Sequence, residues 1–299
     1  MQNKIETIQV LRLFAAFSVM MVHLPLIEVG IWGVDIFFVI SGFIMMYVTD
    51  INDRSFFLKR IIRIVPLYWI LTLIIFILAL VKPELFNYTT ANFEHLIKSL
   101  FFIPFNKNDT GHYPILFLGW TLNFEMIFYL LFGLSLIIFK KNKMYICSTM
   151  IIIFYFICLF LSEKNFIFQA YAYSIFFEFI YGMLAYLIWK KYSKIFLENK
   201  FYNILLLFLL IFSIIISITF EFPRFISLGV PSFFLVIYFL LFFNNLNYPK
   251  ILVKLGDASY CIYLLHPYAI QFFYKIFYIS KLNFFIEFLI TLIIILIVF

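Results

Sequence analysis

The chain has 299 residues, of which 66% are hydrophobic, 23% aromatic and only 12% charged, and its mean hydropathy is +1.08. A soluble domain carries roughly a quarter charged residues, so about half the polar coating of a globular surface is missing and a water-soluble enzyme is excluded. The formal charge is +7, but the basic residues fall in short clusters between apolar runs rather than in one stripe, which argues for membrane topology and against a nucleic-acid partner.

Crossing about 30 Å at about 1.5 Å per residue takes about 17 to 25 mainly apolar residues. Ten such segments are predicted, at approximately 9–28, 31–49, 64–81, 118–139, 144–162, 167–189, 202–220, 226–243, 257–274 and 282–299. They recur without a polar linker, so the expectation is a single all-α polytopic membrane domain over 1–299 with about ten transmembrane helices. The first segment carries Arg12 and His23 and lacks a small-residue cleavage pattern, so it reads as a retained helix. A very short turn to the second segment predicts a tight outward-facing hairpin.

An outer loop of about 82–117 follows the third segment, its apolar period broken by Pro83, Asn87, Asn92, Pro104, Asn106, Asn108, Asp109 and Gly111. It reads as a lid or binding loop or as a plain connection, with a short amphipathic piece around Phe93 to Phe102. No internal repeat or matching pair of broken helices is visible, which argues against a secondary transporter. With the N-terminus in the cytoplasm, 15 of the 22 basic residues face inward, among them Lys4, Arg54, Lys59, Lys140, Lys190 and Lys250. That asymmetry predicts cytoplasmic N- and C-termini, with no soluble C-terminal domain after Phe299. Cys147, Cys158 and Cys261 lie in apolar runs with no C-x-x-C spacing, and His95 and His112 in the outer loop lack ligand spacing, so neither a disulfide framework nor a metal is expected.

Ionisable groups in hydrocarbon cost several kcal/mol, so each needs a partner, a cavity or a role. Arg12 and His23 are eleven positions apart, which returns them to within about 20° of one helix face, about 16 Å apart along the axis. Asp35, just inside the second segment, is expected at the depth of His23 and able to hold its second ring nitrogen. A histidine held this way is a candidate general base, although a buried pair joining two helices is the plainer reading. Arg60 and Arg63, three apart in FLKRIIRIVPLYW, suit a phosphate approaching from the cytoplasm or serve only as a positive-inside anchor. In GWTLNFEMIFYL, Trp120, Asn123, Glu125 and Tyr129 are candidates for substrate contact, with Glu125 and Tyr129 four apart on one face. Glu178, alone in its segment, suits bonding between helices. In LGDASYCIYLLHP, Gly256 and Asp257 open a segment where capping explains the carboxylate, and His266 before Pro267 marks a kinked or interrupted helix with a freed carbonyl to take its proton. Ser41–Gly42 in VISGF reads as close helix packing.

Four segments in this order, IQVLRLFAAFSVMMVH, GVDIFFVISGFIM, FLKRIIRIVPLYW and LGDASYCIYLLHP, resemble the membrane-bound acyltransferase 3 family over nearly the whole chain. GHYPILFLGWTLNFEMIFYLLFG looks most like its exopolysaccharide-production O-acetyltransferase subgroup. The resemblance implies transfer of an acetyl group from cytoplasmic acetyl-CoA to a hydroxyl of an exported or lipid-linked bacterial polysaccharide, in the bacterial cytoplasmic (inner) membrane. It assigns His23 and Asp35 to catalysis and Arg12, Arg60 and Arg63 to the donor. Trp120, Asn123, Glu125, Tyr129 and His266 are left to substrate or support, with membrane lipid and polysaccharide-synthesis machinery as partners and no metal. Relatives often carry a Glu-Glu pair where this chain has Glu125 followed by Met126, which weakens any role needing two carboxylates there. Direct transfer with His23 as base and a covalent acyl-histidine are both compatible with these residues. The competing classes are a transporter or flippase for a precursor or acyl donor, in which the same charges line a path, and a structural partner of a synthase.

Overall fold

The computed structural model describes residues 5–23, 32–86, 89, 91–106, 113–244 and 246–276. Among them all regular elements are helical: α1 (Glu6–Val22), α2 (Trp32–Ile51), α3 (Phe56–Val81), α4 (Phe93–Leu100), α5 (Trp120–Phe139), α6 (Lys143–Leu161), α7 (Phe166–Tyr171), α8 (Phe176–Glu198), α9 (Lys200–Thr219), α10 (Arg224–Ser227), α11 (Gly229–Phe242) and α12 (Lys250–Ile276). The predicted segment 282–299 and His112 lie outside the described residues. Among the described residues six helical stretches are long and apolar enough to cross a membrane: Trp32–Ile51, Phe56–Val81, Phe117–Leu161, Phe166–Leu197, Lys200–Thr219 and Arg224–Phe242. Phe117–Leu161 reverses at the 3-10 turn Lys140–Asn142, so that α5 lies against α6. Large apolar side chains stay exposed along these helices, Phe160 at 77% and Ile218 at 76%. In water such surfaces would aggregate; in hydrocarbon they face a solvent as apolar as themselves. The protein is a multi-pass membrane protein.

Three elements differ from the sequence reading. α3 begins at Phe56, well before residue 64, and continues through Pro66, so Arg60 and Arg63 sit within the helix rather than at its mouth. The predicted 167–189 segment breaks into α7 and α8, since residues 172–175 between them hold no Gly or Pro to give warning of a turn. α12 begins at Lys250, because its helix extends past its apolar stretch. Asp257 therefore lies two turns inside α12 and not at its N-terminus, which corrects that expectation.

α2 is the centre of the bundle, touching α1, α5, α8 and α11. It meets α8 through reciprocal glycines: a side chain on Gly42 would strike the Phe179 carbonyl, and one on Gly182 the Val39 carbonyl. Backbones can approach this closely only with hydrogen there. α12 lies along α1 in the same direction, in contact at Gly256 against Gln9 and again where His266 meets His23. At the end of the bundle holding Lys140–Asn142, Asp50 of α2 binds Lys143 of α6 at 2.5 Å and, from α8, Lys190 at 2.5 Å and Tyr186 at 2.7 Å. Nearby, Lys140 lies 2.7 Å from Asp53 and holds that carboxyl below the usual carboxylate range.

The described part of the outer loop is docked. Asn92 caps α4, Tyr68 and Trp69 of α3 donate to the carbonyls of Ser99 and Leu100, and the Ser99 hydroxyl accepts from the Ile115 amide. His95 stacks on Phe105 and is 3.0 Å from the Tyr113 carbonyl.

Candidate functional site

α1 carries Arg12 within the bundle and ends at His23, whose backbone leaves the helix as its C-cap. The His23 Nδ1 lies 2.8 Å from the Val19 carbonyl and 3.3 Å from Nε2 of His266. The His266 Nδ1 lies 3.1 Å from the Ile262 carbonyl. Carbonyl oxygens only accept, so each neutral imidazole carries its hydrogen on Nδ1. It follows that His23 Nδ1–H also donates to the bare Nε2 of His266, and that His23 presents an unprotonated Nε2. The rings meet edge-on, 4.9 Å between centroids. Pro267 offers no N–H to the Tyr263 carbonyl, and its ring follows a histidine that supplies a donor to this same turn. α12 continues past Pro267, so of the two expected forms the interrupted helix is not the one adopted.

The expected pairing of His23 with Asp35 is corrected. Asp35 is fully buried, and both of its oxygens bind Arg224, Nε to Oδ1 at 2.9 Å and Nη2 to Oδ2 at 2.6 Å. A guanidinium fork matches a carboxylate with two charge-assisted bonds, where one imidazole offers a single bond. The third Arg224 nitrogen donates to Tyr173 Oη at 3.2 Å. Glu178, also fully buried, lies beside Asp35 and Arg224, but both of its oxygens lack a hydrogen-bond partner, so the expected bond between helices is not made. Arg224 went unnoticed in the sequence because it stands beyond an apolar segment and its partner is 189 positions away.

The remaining candidates surround a cavity of about 110 Å³. Arg12, Arg63, Glu125 and Tyr129 line it, together with Ser41 of α2 and Tyr263 of α12, neither of which the sequence reading had placed in a site. Ser41 Oγ donates to Glu125 Oε1 at 2.8 Å, and Tyr129 Oη donates to the same oxygen. Close packing thus explains Gly42, while Ser41 has polar work of its own. Arg60, one turn before Arg63, is buried behind the cavity with Nε and Nη1 lacking hydrogen-bond partners. Among the described residues none of Arg12, Arg60 and Arg63 forms an ion pair. Three guanidiniums set against the Glu125 carboxylate make this region cationic and suited to an anion.

Tyr263 connects the two parts of the site. It lines the cavity, lies 3.1 Å from Thr121 Oγ1 through its hydroxyl, and its ring is 6.3 Å from that of His266. Asn123 is buried on α5 away from the cavity lining, and Trp120 packs on Tyr173 next to Arg224. The arrangement offers a lone pair on an imidazole toward one end of α1 and unpaired cations toward the other, which are the needs of a proton-transfer step on an anionic substrate.

Comparison with known proteins agrees with this chemistry. The acyltransferase domain model of the acyltransferase 3 family matches residues 5–299. The exopolysaccharide production protein ExoZ of Rhizobium meliloti (strain 1021) is 32% identical over 254 residues, covering 81% of this chain and 77% of that protein. A protein of Acidianus two-tailed virus, provisionally named acetyltransferase ORF330, is 26% identical over 283 residues, 86% of this chain and 80% of its own. No solved structure matches the chain. A helical membrane chain matched over nearly its whole length by this domain belongs to the acyltransferase 3 family and is an acyltransferase.

Proposed function

We propose that the protein is a membrane O-acetyltransferase that moves acetyl from cytoplasmic acetyl-CoA to a hydroxyl of an exported or lipid-linked bacterial polysaccharide. The observation that carries this reading is the polarity of the site along α1, with guanidiniums around Arg12 that form no ion pair among the described residues and an imidazole pair at His23. The name of the Rhizobium relative supports an exopolysaccharide acceptor. In this reading one transmembrane domain spans 1–299, with about ten helices, both termini in the cytoplasm, and its place in the bacterial inner membrane beside the polysaccharide-synthesis machinery.

Arg12, Arg60 and Arg63 hold the phosphates of acetyl-CoA, and the thioester reaches past Tyr263 toward His23. The acceptor hydroxyl gives its proton to His23 Nε2 as its oxygen attacks the thioester carbonyl, so no free alkoxide forms. The Val19 carbonyl, with His266 Nε2 beside it, accepts from Nδ1–H and so fixes the tautomer that leaves Nε2 bare. The C–S bond breaks, CoA leaves as thiolate, and His23 returns the proton to sulfur. Asp35 acts at a distance, through the Arg224 pair that sets the start of α2. The test is release of CoA thiol by purified protein with acetyl-CoA and exported glycan. Glycan-dependent release that His23→Ala abolishes supports the reading; release unaffected by His23→Ala removes His23 from it.

A further inference from the structure

The end of the bundle that holds His23 carries a second group of polar and aromatic side chains that the transfer step does not use. α2, α5 and α8 all begin here, and Phe117, just before α5, meets the His23 ring edge-on at 6.2 Å. Trp120 and Tyr173 are partly exposed, their rings 6.4 Å apart and tilted by 59°. Both rest on the buried ring of Phe124, at 5.8 and 6.2 Å. Arg224 closes the group, its guanidinium 5.8 Å from the Tyr173 ring centre and locked from behind by Asp35.

We propose that Trp120, Tyr173 and Arg224 form the subsite that seats a neutral pyranose ring of the acceptor, resting on the acyl-transfer reading above. A pyranose has an apolar C–H face and an equatorial rim of hydroxyls. Two partly exposed aromatic rings, tilted by 59° to each other, match the first, since the negative quadrupoles of their faces attract the C–H hydrogens. The rim needs donors held rigidly. Tyr173 Oη accepts from Arg224, which leaves its own O–H to donate to a ligand. Charge distinguishes this group from the cavity: Arg224 is already met by Asp35, with Glu178 as a second carboxyl beside it. An anionic sugar finds no unpaired cation here, whereas it would find two on the cavity wall. Interfacial aromatics that only anchor a helix have no need to converge on a locked ion pair.

The test uses the full-length protein in lipid nanodiscs, titrated with methyl β-D-glucopyranoside and with its charged counterpart methyl β-D-glucuronoside, by saturation-transfer NMR. The neutral glycoside should bind more tightly than the glucuronide. Trp120→Ala should weaken it about tenfold and Trp120→Phe less, as loss of one stacking partner predicts. Tyr173→Phe should weaken it without disturbing the rings, and all variants should keep their melting midpoint and acetyl-CoA binding. No binding of the neutral glycoside, equal binding of the glucuronide, or affinity unchanged in Trp120→Ala and Tyr173→Phe would each overturn the proposal. Thioester cleavage by the wild-type protein, measured in parallel, tests the acyl-transfer reading separately: its absence alongside intact glycoside binding overturns that reading and leaves the subsite standing.

Discussion

Arg224 and Arg12 are both arginines inside one membrane bundle, yet their surroundings differ completely. Arg224 spends its fork on Asp35 and its remaining nitrogen on Tyr173. Arg12 lines a cavity with Arg63 and meets no carboxylate within ion-pair distance among the described residues. A buried charge that has found its partner holds helices together. One left without a partner against a cavity is a site waiting for an anion that the chain does not supply.

That contrast can be broken experimentally. The largest effect belongs to neither arginine: His23→Ala should lower glycan-dependent thiol release by about 10²–10⁴-fold while the protein still inserts and melts normally, as read by activity alongside thermal unfolding in detergent. Next comes Arg224→Gln, which strands the fully buried Asp35 and should cost about 3–5 kcal/mol of stability. Asp35→Asn combined with Arg224→Gln should regain more than half of that loss in the melting midpoint; additive losses would show that the two do not act as a pair. Arg12→Gln and Arg63→Gln should do the reverse, raising the KM for acetyl-CoA about 10- to 100-fold by removing charge-assisted bonds, with no loss of melting midpoint. If either lowers the midpoint as Arg224→Gln does, the contrast fails. The smallest effect is at the exposed pair Lys140–Asp53. Lys140 depresses the Asp53 pKa, so what the pair contributes is present above about pH 4, the ordinary range of a free Asp, and is lost as the pH falls below it. Wild type and Lys140→Gln should therefore differ slightly above about pH 4 and converge below it in pH-dependent melting.

Local periodicity carried the first half of the site. Arg12 and His23 share a face because eleven helical steps nearly close three turns, and Glu125 with Tyr129 and Arg60 with Arg63 obey the same rule within α5 and α3. What periodicity could not supply was pairing between helices. The hydrogen bond between His23 and His266 spans 243 positions, Ser41 finds Glu125 across 84, and Asp35 chose Arg224 over the nearer His23 because two bonds outweigh one. Helix ends were equally opaque where composition gives no signal: the break between α7 and α8 falls in an aromatic run, and α12 begins among lysines that a search for apolar stretches passes over.

The contact of α1 with α12 has a consequence for how the enzyme is made. A ribosome threading this chain into the bilayer delivers His23 long before His266, which follows 243 positions later. Until α12 arrives, Gln9 has no Gly256 against it, the His23 ring is held by the Val19 carbonyl alone, and the cavity lacks its Tyr260 and Tyr263 wall. On the proposed mechanism the site is incomplete until α12 is in place, and a product truncated before residue 250 should fill the membrane without cleaving a single thioester.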